Sequence, residues 1–413
     1  MSNDITLTCT WGRAPLPVTS SPQVAYLLVE AQAPEATESV PLNFCMVLDR
    51  SGSMQGAKLA AMKDATRRVI DTLTTQDVVS IVLFDETVTT LLPATPAVDK
   101  DALKAQVDRI EEQGGTAMAG GLRAGQDELR KNSTPDRVAA MLLLTDGQTW
   151  GDEDDCRAIA AQLGQEGVRI TALGLGAEWN EKLLDDLAEA TGGTSDYIAS
   201  PEQITTFFQR AVRAAQGTAA RDARLLLRLA REVTPRAVHR ATPVIANLGY
   251  QPIGQSEVAV RLGDIASNSP ASMVIDLMVP PRTAGAFRIA QAELHYTPVG
   301  ATDERVVKQD VLLEFTADVQ GATFDPRVMN LVEKVTAFKL QTRALSEAEA
   351  GNVAGATQKL RAAATRLLDL GELDLARKAE EQAAQMEQGS AVNAETQKEL
   401  RYATRRLTQK LEE

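Results

Sequence analysis

Three short segments carry oxygen-bearing side chains at spacings that could serve one site. The run Asp49-Arg50-Ser51-Gly52-Ser53 follows the apolar stretch NFCMVL. Thr116 lies in GGTAMAGGL, and Asp146 follows AAMLLLT and precedes Gly147. The set is two carboxylates and three hydroxyls, with no thiolate and no imidazole. Hard divalent cations want such donors, Mg²⁺ above all, with Mn²⁺ and Ca²⁺ as alternatives. Ser51, Ser53 and Thr116 supply neutral oxygens. Asp49 and Asp146 carry the charge, directly or through water. Mg²⁺ takes six oxygens at about 2.0–2.1 Å. A carboxylate from a protein partner is a natural choice for the last of them.

Other chemistries find little in this chain. Its two histidines, His239 and His295, lie far from these segments, and its three cysteines have no zinc spacing. Scattered as they are, the cysteines make no disulfide framework. The sequence holds no G-x-S-x-G, no GxxxxGK[ST] and no HExxH. A formal charge of −13 argues against a nucleic-acid binder, whose footprint is basic. The start MSNDITLTCTWGRAP has no basic-then-apolar pattern, and no apolar run reaches the roughly 18–20 residues that cross a bilayer. A cytoplasmic protein with no membrane contact is expected.

The elements that must position these oxygens can be read from the hydrophobic texture. NFCMVLD, VVSIVLFD and VAAMLLLTD are nearly continuous apolar runs, and each ends in an acid. Helical spacing fills the segments between them, and beyond them a strand VRITALGLG and a short strand SDYIA alternate with helices up to residue 216. Strands buried on both faces that alternate with helices make a doubly wound, mostly parallel sheet, whose ligands bind at the carboxyl ends of the strands. That places the three segments on one rim. Residues 221–318 lose the helical period and read as an antiparallel β-sandwich. Two strands within 3–33 cannot be stable alone, so they are expected to join it. At 413 residues several domains are expected: 1–40, strands of the sandwich; 41–217, the α/β domain with the metal site; 218–320, the sandwich; and 321–413, a helical bundle. The expected fold class is thus α/β, inserted in an antiparallel β-sandwich and followed by an all-α C-terminal region.

D-x-S-x-S, a later GGT and a later TDG on alternating strands and helices resemble the von Willebrand factor type A domain and its metal-ion-dependent adhesion site, over about residues 41–216. The resemblance implies a Rossmann-like sheet and makes Asp49, Ser51, Ser53, Thr116 and Asp146 the five coordinating positions. The flanks are similar to bacterial cytosolic proteins of that family. Arg50 and Met54 share the first loop, Met118 and Gln148 neighbour the other two, and Trp150 could anchor beside the metal. These five are the expected partner-binding residues.

The expected function is a non-enzymatic, metal-dependent interaction module that binds an Asp or Glu of a protein partner, in assembly of a bacterial multiprotein or signalling complex. Its helical tail would give a second contact or drive oligomerisation. Two other readings are a structural subunit working through its helices with a vestigial metal site, and a metal-assisted hydrolase using cation-bound water. The last needs a base, and the α/β segment contains no histidine.

Overall fold

A computed structural model describes residues 4–34, 39–149, 151–254, 256–267, 269–318, 322–388 and 393–409. The chain forms two compact units, one of Ala36–Arg221 with Thr297–Asp303, the other of the remaining segments.

The first unit is a six-stranded sheet with helices on both faces. Its elements are β1 (Leu42–Asp49), α1 (Ala57–Thr72), β2 (Val78–Phe84), β3 (Val88–Pro96), α2 (Lys100–Val107), α3 (Met118–Arg130), β4 (Val138–Thr145), α4 (Glu153–Gln165), β5 (Arg169–Leu175), α5 (Glu181–Ala190), β6 (Thr194–Ile198) and α6 (Ile204–Gln216). The sheet order is β6-β5-β4-β1-β2-β3, parallel except for the antiparallel edge strand β3. Every residue of β1 and β2 is buried, which is why these strands read as unbroken apolar runs. Leu42, Phe44, Met46 and Leu48 meet α1, α2 and α6 on one face. On the other face α3 lies so close that a Cβ on Gly125 would stand 2.8 Å from Val47. Glycine at that point of the helix serves close packing, at some cost in helix propensity. A short segment far along the chain joins this unit: Val299, partly buried, packs against its core, and the Val299 and Gly300 amides donate to the Ala219 and Pro135 carbonyls at 3.1 and 3.2 Å.

The second unit carries the sandwich. One sheet has the order Thr6–Trp11, Gln23–Gln32, Ala271–Val279, Thr234–Thr242, Ala246–Asn247, all antiparallel. Gln23–Gln32 therefore pairs with a strand more than two hundred residues away, with Val29 opposite Met273, and carries Thr6–Trp11 on its other side. The other sheet runs Gln251–Pro252, Glu257–Ala266, Thr218–Leu229, Gly285–Pro298, Arg305–Thr316, Leu16–Pro17.

Four helices follow: α7 (Pro326–Glu349), α8 (Val353–Asp369), α9 (Leu373–Glu387) and α10 (Ala394–Arg405). Asp325 caps α7 by accepting the Val328 amide at 2.9 Å. Val328, Leu331, Val332, Val335 and Phe338 of α7 cluster with Leu28, Ala241 and Val274 of the five-stranded sheet. Helices and sandwich thus share a core. Leu400 of α10 joins this core, and Lys398 and Arg405 of the same helix are buried beside it despite their charge. No helix among the described residues is long and apolar enough to cross a membrane.

Candidate metal centre

The sheet order reverses between β1 and β4, and this is where open α/β sheets bind ligands. Asp49 is the last residue of β1, and Asp146 follows the last residue of β4. Parallel pairing holds the two strand ends side by side, with Leu48 opposite Leu144.

Asp49 is fully buried. Its Oδ1 accepts the Ser51 amide at 2.8 Å, and its Oδ2 accepts the Thr145 hydroxyl at 2.6 Å. Burial pushes its carboxyl above the usual range; hydrogen bonds from Ser51 and Thr145 oppose the shift, and the charge of Asp146 adds to it. Ser51 Oγ lies 3.0 Å from Ser53 Oγ, which donates to Asp146 Oδ1 at 2.6 Å. Asp146 Oδ2 accepts from Lys58 Nζ in an ion pair. Thr116 faces the same cup: a Cβ on Gly147 would stand 3.9 Å from both Ser53 Oγ and Thr116 Oγ1. Three loops therefore bring Asp49, Ser51, Ser53, Thr116 and Asp146 together at one rim.

The loops are tied to one another. Gly115, at φ +79°, turns the chain into Thr116 against Glu86. The Ala117 amide donates to the Asp85 carbonyl at 2.6 Å, and Thr149 Oγ1 donates to the Thr116 carbonyl at 3.0 Å. Asp152 accepts the Ala119 amide at 2.8 Å, so this acid caps α3 across the site. Glu153, Asp154 and Asp155 fill the first turn of α4, where the helix dipole favours acids.

The expected partner contacts need correction. Arg50 is buried, and its guanidinium turns inward to Asp85, Thr89 Oγ1 and Gln113 Oε1, the last two at 3.2 Å. Burial raises the Asp85 carboxyl, but hydrogen bonds from Thr87 and Arg50 outweigh that and hold it below the usual range. Met54 and Met118 have no exposed surface, and Met54 belongs to the core beneath the site. Apolar side chains next to a tight loop bury where the loop lets them, and these two do. Gln148 is exposed at the rim, whereas Trp150 lies outside the described residues.

Sequence reasoning missed Lys58. A signal for it exists: Lys58 occupies the first turn of α1, a turn without any acid, where the helix dipole disfavours a cation. A lysine there needs a partner elsewhere, and Asp146 is that partner.

The donors fit a hard dication. All are oxygens, and among the described residues no cluster of three His, Cys, Asp or Glu offers another metal centre. The ammonium on Asp146 shows that this carboxylate attracts positive charge.

Residues 43–210 match the von Willebrand factor type A domain, and residues 326–410 match the Sll0103-like C-terminal alpha-helical domain. An uncharacterized protein of Synechocystis, sll0103, is 27% identical over 343 residues, 82% of this chain and 81% of that protein. Inter-alpha-trypsin inhibitor heavy chain H3 of Mus musculus is 33% identical over 183 residues, 40% of this chain but only 20% of that protein. The structure of a von Willebrand factor type A protein from Catenulispora acidiphila superposes over 98% of both chains, with a TM-score of 0.76 at 21% identity. That likeness extends the shared fold to the sandwich and the helices. Sheet order and sequence matches together identify residues 43–210 as a von Willebrand factor type A domain, joined in one chain to an Sll0103-like helical domain.

Proposed function

We propose that the chain is a metal-dependent protein-binding module in which Asp49, Ser51, Ser53, Thr116 and Asp146 hold a divalent cation, Mg²⁺ or in its place Mn²⁺ or Ca²⁺. The cation would supply attraction for an Asp or Glu carboxylate of a protein partner. The observation that carries this reading is the hydrogen-bonded chain from Ser51 through Ser53 to Asp146, beside a buried Asp49, at the switch point of the sheet. The site is of the metal-ion-dependent adhesion type. Asp49 positions Ser51 through its amide and is itself oriented by Thr145. Gln148, exposed beside Asp146, and Trp150 are the partner contacts that remain from the sequence reading. The role is assembly of a bacterial multiprotein or signalling complex in the cytoplasm, without catalysis. Both histidines lie in the other unit, so a hydrolytic mechanism would need a carboxylate base instead.

Affinity purification from the native cell, with Mg²⁺ and with a chelator, tests the reading. Partners should co-purify in Mg²⁺ and be lost in the chelator and in the Asp146→Ala variant. An unchanged partner set under all three conditions would overturn it and favour assembly through the helices.

A further inference from the structure

We infer that Lys58 is a resident counter-cation of Asp146, which a divalent cation has to displace, and is therefore the residue that sets how much cation the site requires. This rests on the metal reading above.

The Asp146 side chain has no exposed surface, and both its oxygens are engaged: Oδ1 by the Ser53 hydroxyl and Oδ2 by the Lys58 ammonium. A buried carboxylate needs a counter-charge, and here the protein's own lysine provides it. That ammonium and a dication are rivals for one carboxylate, since like charges repel over so short a span. Lys58 can yield. Its side chain is 33% exposed, so its flexible stem can carry the ammonium into water. Nothing at the start of α1 rewards its staying, because that turn has no acid and the helix dipole opposes a cation there. Among the described residues, Asp146 is the partner that holds Lys58 at this rim.

Displacement also changes the charge offered to a partner. Asp49 and Asp146 together balance a dication. A released Lys58 then leaves one positive charge at the rim, where an acidic side chain would arrive. One lysine thus raises the cation threshold of the site and favours an anionic partner once the threshold is passed.

The test is Mn²⁺ binding to the full chain, followed by electron paramagnetic resonance of the free ion and by calorimetry. Lys58→Gln keeps most of the reach and removes the charge; it should bind Mn²⁺ roughly three- to tenfold more tightly than the wild type, the size expected when a partly exposed ion pair no longer competes. Lys58→Arg keeps the charge and should stay within about twofold of the wild type. Melting curves verify that each variant is folded, and Ser53→Ala serves as the variant with a damaged site. A folded Lys58→Gln that binds Mn²⁺ no better than a binding-competent wild type overturns the role of Lys58 and leaves the metal reading standing. If wild type and Lys58→Gln both leave Mn²⁺ free at millimolar concentration, the metal reading falls, and the inference with it.

Discussion

Two regions of this molecule bury acids, and they treat them in opposite ways. Where α7 covers the five-stranded sheet, each buried acid has its own cation. Asp276 takes Lys339 at 2.9 Å, and Glu30 takes the Arg327 fork at 2.5 and 3.0 Å. On the other sheet, Glu293 has Lys308 at 3.1 Å and Arg228 at 3.2 Å. At the rim of the α/β unit, Asp49 is held by an amide and a hydroxyl, and Asp146 by a hydroxyl and one half-exposed lysine. The first arrangement matches every acid with at least one cation. The second sets two carboxylates, Asp49 and Asp146, against a single ammonium, that of Lys58.

The matched arrangement should break hardest. Lys339→Met keeps the length of the side chain but leaves Asp276 buried without its counter-charge. Removing one partner of a buried pair costs about 3 kcal/mol, and the partial exposure of Lys339 keeps the value at the low end of that class. Urea unfolding at neutral pH measures it. A loss below about 1 kcal/mol would mean that water already solvates Asp276, and the contrast between the two regions would fail on this side.

The same face makes a pH prediction. His239 lies on the Thr234–Thr242 strand, with its pKa lowered to about 4, first by burial and then by the charges of Lys339 and Arg343, against Asp276. A histidine depressed in the folded state takes up its proton earlier in the unfolded chain. Stability is therefore complete above the ordinary value of 6.5 and is lost as pH falls toward about 4, where the loss levels off. At about pH 5 the loss from this one group is about 2 kcal/mol. His239→Gln should flatten the pH dependence of the urea unfolding free energy by that amount relative to the wild type. Parallel curves for the two proteins would show that His239 is solvated in the folded state.

How much of this could be read from residues alone follows from how local each cause is. The runs that became β1, β2 and β4 were legible because burial on both faces writes itself as continuous apolar sequence, and the acid that ends each run marks the rim. The edge strand β3 was not, since most of it is exposed or half-buried and it carries Pro93 and Pro96. The rim loop was legible at Asp49, Ser51 and Ser53 and misleading at Arg50 and Met54. Proximity in sequence says nothing of the direction in which a loop side chain turns, and both turn inward to partners in other segments. The acids of the sandwich could not be recognised as buried either. Asp276 is paired 63 residues away and Glu30 297 residues away, with cations that only the placement of α7 brings near.

The smallest effect has the opposite sign, and it tests the rim directly. Burial raises the carboxyl of Asp49 above its ordinary value, so the folded state favours the protonated form. As pH rises from the unfolded value through the raised one, this group withdraws stability. Asp49→Asn removes the charge and preserves the shape: the amide oxygen can still accept from Ser51, and the Thr145 hydroxyl can accept where it had donated. Without divalent cation, this variant should match the wild type or exceed it by up to about 1 kcal/mol in urea unfolding. In Mg²⁺ the order should reverse, because only the wild type gains stability from the ion. A large loss in cation-free buffer would place Asp49 with Asp276 among the acids that hold the fold. A gain that persists unchanged in Mg²⁺ would show that Asp49 has no part in holding the ion.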